Sequence, residues 1–191
     1  MQHHPKVTQI VQNGLQLLNE QGSQGFTMRK VANSCGISLG NLQYHFKDRD
    51  SLLKGMIDFY LQQLIQLTQS VIPQFPKKNK IQQQDIEEMI LSILSNSIME
   101  ESCQIFREFW AIASRDKTVE DYLHHYSLQC SNMIATIFTP LAPNKPLIIQ
   151  SIISLLLPYF EGYSLTYKAI PFRDEQVAEL LGRIIFQLIQ E

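Results

Sequence analysis

A chain of 191 residues, 45% hydrophobic and 18% charged, is long enough to bury a core in one or two domains and too apolar to be intrinsically disordered. Its net charge of −2 excludes a uniformly basic nucleic-acid binder, so any contact with a polyanion must be local. Three cysteines, Cys35, Cys103 and Cys130, are odd in number, far apart and without CxxC spacing, which excludes a disulfide framework and a cysteine zinc site.

The first ten residues, MQHHPKVTQI, lack the charged-then-apolar layout of a secretory signal. The longest apolar run, PLIIQSIISLLLPYF, is broken by Gln150, Ser151, Ser154 and Pro158, so it reads as a buried core helix rather than a membrane span. A reduced, cytoplasmic protein is expected. Charge is divided unevenly along it. Residues 1–55 carry six basic and three acidic side chains, a net of +3, and residues 56–191 carry ten basic and fifteen acidic, a net of −5. A basic head on an acidic body suggests that only the head meets a polyanion.

Helical periodicity dominates, and an all-α chain of about nine helices is expected. Val7, Ile10, Val11, Gly14 and Leu18 recur at i, i+3, i+4, i+7 and i+11, which predicts a helix from about Pro5 to Gln21. Gly22 and Gly25 close it. Thr27 can cap a short second helix with Met28, Val31, Ala32 and Cys35 on its inner side. Gly36 stops that helix, and Ser38 can cap a third, Leu39 to Phe46. The turn KDRD follows, and its Asp48 can cap a long fourth helix with an inward stripe of Leu53, Met56, Ile57, Tyr60, Leu61, Leu64 and Thr68. IPQFPKKNK (72–80) is the clearest loop. Further helices are expected near Asp85–Ser97, Ser102–Ser114 and Val119–Phe138. A three-proline break, TPLAPNKP, precedes the last two, about Leu147–Ala169 and Asp174–Gln190.

Two short helices joined by a glycine-containing turn, with a longer helix ahead, make a helix-turn-helix. Ile37, Leu42 and Phe46 can pack on Val31, Ala32 and Leu18, leaving Leu39, Gly40, Asn41, Tyr44 and His45 on the opposite face of the third helix. Such a face suits a major groove, where polar side chains meet base edges and Gly40 permits close backbone approach. Thr27 and the pair Asp48–Arg49 put backbone N–H groups and a cation where phosphates would lie. A merely solvated polar face is the bland alternative from spacing alone.

The stretch GFTMRKVANSCGISLGNLQYHFKDRDSLLKGMI resembles the N-terminal domain of TetR-family transcription regulators. The matching positions are Thr27, Ala32, Gly36, Ile37, Ser38, the Tyr44-His45-Phe46 ending and the charged turn Lys47–Asp50. The resemblance covers about residues 5–65. It implies a DNA-binding domain over 4–65 and an effector-binding and dimerisation domain over 66–191. It further implies that Thr27, Tyr44, His45 and Arg49 contact phosphate or sugar, and that Leu39, Gly40 and Asn41 face the groove, with Gln43 a further candidate. Ser38 and Lys47 complete the candidate DNA-binding set. Two positions depart from the family pattern: tyrosine is common where Gln43 stands, and lysine where Arg49 stands.

In the body, Val177, Leu180, Leu181, Ile184, Ile185 and Leu188 follow helical spacing on the last helix, and Phe186 and Ile189 add a second face. A terminal helix pair apolar on two sides calls for a partner surface, similar to the TetR-family homodimer built from the last two helices of each subunit. The resemblance also implies an effector pocket. The candidate lining is Phe106, Phe109, Trp110, Tyr126, Cys130, Met133, Tyr159 and Tyr163, within aromatic groups that include Tyr122 and Tyr167. With no charged residue evidently inside, an apolar or aromatic, weakly polar effector is expected. Pro158 predicts a kink.

The function expected is therefore a sequence-specific DNA-binding regulator, a ligand-responsive repressor acting as a homodimer on a near-palindromic operator. An activator or a thiol-responsive regulator of the same fold is an alternative, as is a helical interaction module that binds no DNA. Catalysis is not expected, since no Ser/His/Asp or Cys/His arrangement, HExxH or glycine-rich phosphate loop occurs. No cofactor or metal is expected either: His124–His125 are adjacent, Glu120/His124 is the only fair pair, and His3–His4 read as a frayed terminus.

Overall fold

The computed structural model describes residues 5–71, 81–95, 97–166, 168–169 and 171–191. The loop at 72–80, His3–His4 and Tyr167 lie outside the described residues, as do the side chains of Leu64, Thr68 and Cys103. Among the described residues there are nine helices and no strand: α1 (Pro5–Gly25), α2 (Met28–Ser34), α3 (Leu39–His45), α4 (Arg49–Val71), α5 (Gln83–Leu94), α6 (Ser97–Ala113), α7 (Lys117–Phe138), α8 (Pro146–Thr166) and α9 (Asp174–Gln190). Differences from the expected bounds fall at helix ends. Regular α1 geometry breaks at Gly22 (φ 65°, ψ −179°), a conformation glycine adopts without a Cβ penalty. α6 begins five residues earlier than its apolar spacing suggested, and α8 passes through Pro158 as one helix ending at Thr166.

The helices divide into two compact units, Met1–Gln62 with Gln104–Tyr126, and Gln63–Cys103 with Ser127–Glu191. The end of α6 and the start of α7 thus pack with the N-terminal helices. In the first unit one apolar cluster joins Ile10, Leu18, Val31, Leu42, Leu53 and Met56 to Phe109 and Leu123, all essentially without solvent exposure. Phe106 contacts three rings, Tyr60, Phe109 and Tyr126, with centroids 4.8–5.9 Å apart. Glu108 accepts a hydrogen bond from the Ser23 backbone N–H at 3.0 Å, beside the break in α1.

In the second unit α9 lies along α5. Val177, Ala178, Leu181, Gly182, Ile185 and Ile189 form its buried stripe, facing Ile86, Met89 and Ile90 in the same cluster. The close approach is set by Gly182: a Cβ there would collide with the Glu87 side chain and sit 3.2 Å from the Glu87 backbone nitrogen. Leu180 remains exposed and Ile184 and Leu188 half-buried, so the apolar residues of α9 do not all share one face. On α8, Ile149, Ile152 and Leu156 are buried, Ile153 and Leu157 half-buried, and Leu147 is 73% exposed.

Candidate DNA-binding surface

Local chemistry fixes the two short helices. The Thr27 hydroxyl accepts from the Lys30 backbone N–H at 3.3 Å, capping α2. The Ser38 hydroxyl accepts from Asn41 N–H at 3.1 Å, capping α3. Both oxygens are used as acceptors there, which leaves each hydroxyl proton to donate outward. The turn between the helices depends on Gly36 at φ 64°: its N–H bonds to Asn33 O and the Ile37 N–H to Ala32 O, each at 3.0 Å, closing α2 with a left-handed residue.

α3 then has two dissimilar faces. Leu42 is 0% exposed and Phe46, its C-cap, is buried. Asn41, Gln43 and Tyr44 are exposed, and Leu39 and His45 are half-buried. Tyr44 is 86% exposed, and its ring makes a T-shaped contact with that of His45, 5.2 Å between centroids. A Cβ at Gly40 would meet nothing within 4 Å, so no protein neighbour requires glycine at that point on the outer face.

The charged turn leads into α4. Asp48 accepts the Ser51 N–H at 2.9 Å while its own N–H bonds to Ser51 Oγ at 3.1 Å, a reciprocal box that caps the helix. Hydrogen bonding from Ser51 to the carboxyl, its backbone N–H foremost and then its side chain, holds Asp48 below the usual aspartate range. Lys47 is exposed. Arg49 is half-buried between two carboxylates, with Nη1 3.6 Å from Asp116 and 4.0 Å from Asp50. The contact with Asp116 had no signal in the sequence, since it joins positions 67 apart. The same is true of Lys54, which lies over the Tyr122 ring at 5.9 Å.

The eight candidate effector residues separate by unit. Phe106, Phe109 and Tyr126 meet in the first unit's aromatic core, and Trp110 on the same helix is exposed. In the second unit Cys130 is buried, Met133 is half-buried, and Tyr159 and Tyr163 are in ring contact at 5.9 Å. Tyr163 donates to Asp174 at 2.7 Å. The Tyr159 hydroxyl is buried with no hydrogen-bond partner, and burial followed by the nearby Asp174 charge pushes its pKa up. A half-buried acid escaped the sequence reading: Glu161 on α8 accepts from Ser127 Oγ on α7 at 2.5 Å. A surface depression of about 320 Å³ at the α7–α8 turn, lined by residues including Thr139, Asn144 and Lys145, contains none of the eight. Cys35 and Cys130 are free thiols. Among the described residues no group of three His, Cys, Asp or Glu could hold a metal ion, and no helix is long and apolar enough to cross a membrane.

A capped helix pair that turns a polar, aromatic face outward has the form of a helix-turn-helix. The family described as bacterial regulatory proteins, tetR family, matches residues 10–56. Over its full length the chain is 34% identical to an uncharacterized HTH-type transcriptional regulator in the dhlA 5′ region of Xanthobacter autotrophicus, covering 93% of that protein. Its fold is similar to a putative TetR-family transcriptional regulator from Mesorhizobium loti (TM-score 0.78, 15% identity, 96% of each chain). It is also similar to a putative transcriptional regulator from Pseudomonas aeruginosa (TM-score 0.77, 16% identity, 99% of this chain and 93% of that one). The chain belongs to the TetR family, a family of DNA-binding transcriptional regulators and not of enzymes.

Proposed function

We propose that this TetR-family regulator is a cytoplasmic homodimeric repressor that releases a near-palindromic operator when a small effector binds. The observation that carries the reading is the division of α3: Leu42 and Phe46 are committed to the core, while Asn41, Gln43 and an 86% exposed Tyr44 face outward. Segment 4–65 serves as the DNA reader. Leu39, Gly40, Asn41 and Gln43 face the groove, while Thr27, Ser38, Tyr44, His45, Lys47 and Arg49 hold the backbone. Segment 66–191 serves for effector binding and pairing. Pairing through α8 and α9 is supported by the apolar surface they leave outside the core, notably Leu147, Leu180 and Ile184. Two reading helices would then lie one helical turn apart, about 34–36 Å.

The effector is apolar or aromatic and weakly polar. In the second unit the ring pair Tyr159–Tyr163, with its unpartnered buried hydroxyl, supports that chemistry. Release requires only that the effector bind one spacing of the two heads better than the other, with α4 as the connection. The test is binding to a duplex selected from a random-sequence pool. Asn41→Ala and Tyr44→Ala should each weaken it by at least fivefold, and unchanged affinity in both would remove α3 as the reader.

A further inference from the structure

Arg49 is placed where its own helix does not favour it. It is the first residue of α4, and the N-terminus of a helix carries partial positive charge that disfavours cations. Two carboxylates offset this. Asp50 is its chain neighbour, 4.0 Å away, while Asp116 comes from the turn between α6 and α7 at 3.6 Å. Asp116 divides its two oxygens between two tasks. Oδ1 accepts the backbone N–H groups of Thr118 (3.1 Å) and Val119 (3.4 Å), capping α7, and Oδ2 faces Arg49. The arrangement around Arg49 sets an anionic oxygen against a guanidinium at 3.6 Å, an ion pair without a hydrogen bond and the same charge pairing that a DNA phosphate would make.

We propose that Asp116 is an internal stand-in for a DNA phosphate, holding Arg49 in the free protein and competing with the nucleic acid for it. This rests on the reading of Arg49 as a phosphate contact. The pair is partly exposed, 35% and 29% at the side chains, so the contact is weak enough to exchange. When a phosphate takes Arg49, the Asp116 carboxylate is left to gather a cation from solution, so binding releases about one counterion fewer per head than the cationic contacts alone would predict. Because the same carboxylate fixes the first turn of α7, any shift of that turn moves the competitor relative to Arg49. Such a shift thereby alters backbone affinity without touching the base-reading residues.

The test uses the full-length protein and a random-sequence duplex, since a phosphate contact is indifferent to sequence. Asp116→Asn keeps an equally good helix cap and removes the charge. It should tighten binding about two- to fivefold at 0.1 M salt and steepen the slope of log affinity against log salt by about 0.9 per head. Arg49→Gln should weaken binding, and adding Asp116→Asn to it should restore nothing. Equal gains in both backgrounds would show a general charge effect and overturn the exchange. Weaker or unchanged binding by Asp116→Asn, with its thermal unfolding intact, would also overturn it. If Asp116→Asn loses helicity, Asp116→Ser keeps a cap oxygen and serves the same comparison. Wild-type protein without salt-sensitive duplex affinity would instead defeat the DNA-binding reading itself, a failure seen before any variant is made.

Discussion

The two units bury their apolar residues by different rules. In the first, α2, α3 and α4 each carry their own start, with Thr27, Ser38 and Asp48 as caps, Gly36 makes the left-handed turn, and α3 has one apolar face. These rules act within five residues, and the core they feed also takes in Phe109 and Leu123 from α6 and α7. In the second, α8 and α9 are apolar on more than one side, and what decides which residues enter the core is an encounter between α5 and α9 that are some 90 residues apart in sequence. A helix boundary specified by a local cap is set by neighbours in sequence, with packing supplying most of a short helix's stability, whereas one specified by a close approach depends on a single distance. The reading surface belongs to the first kind, which suits a part that must present the same side chains every time.

Four changes would break or sharpen this contrast. Leu42→Ala empties the fully buried side of α3 and should cost about 2–5 kcal/mol in urea unfolding, with DNA binding lost; a cost under about 1 kcal/mol would mean that α3 is not seated on the core as described. Gly182→Val tests the other unit, and overpacking against Glu87 should cost about 1–3 kcal/mol. It should also weaken any self-association measured by sedimentation while the head retains its duplex affinity at high protein concentration. Gly40→Ala meets no protein neighbour and removes the helix penalty of glycine, so the fold should gain up to about 1 kcal/mol. The same methyl should lower operator affinity, so a gain in both stability and affinity would show that α3 is not in close contact with DNA.

The smallest effect concerns Asp48. Its folded carboxyl lies below the usual value, so the unfolded chain takes up its proton first on acidification. The cap's contribution is present above about pH 4 and fades as pH falls through and below it. Asp48→Asn should flatten that acid limb in a pH series of melting temperatures; an unaltered limb would assign the acid sensitivity elsewhere.

The same contrast explains what the sequence disclosed. Thr27, Ser38 and Asp48 were legible as caps because a capping side chain binds backbone only two or three residues away. Leu42 and Phe46 were legible as core because α3 has one apolar face. On α9, spacing grouped Leu180, Ile184 and Leu188 with Val177, Leu181 and Ile185, but the structure buries the second set beside Ala178 and Gly182. Small residues mark the close approach to α5, and hydrophobicity alone ranks them last. Glu161 was passed over for a similar reason: its partner Ser127 stands on another helix, 34 positions away. Arg49 was visible as a cation, but its neighbour Asp116 was not.

The brevity of α3 has a consequence for information. Seven residues at about 1.5 Å each extend roughly 10 Å, the height of about three base pairs at 3.4 Å per step. A three-pair word recurs by chance about once in 64 positions, far too often to mark one gene among the roughly 10⁶ competing sites of a genome. One head therefore holds a syllable and not an address. On the proposed reading, the remaining selectivity would be written by a second head at fixed spacing, or in the stiffness of the DNA between them.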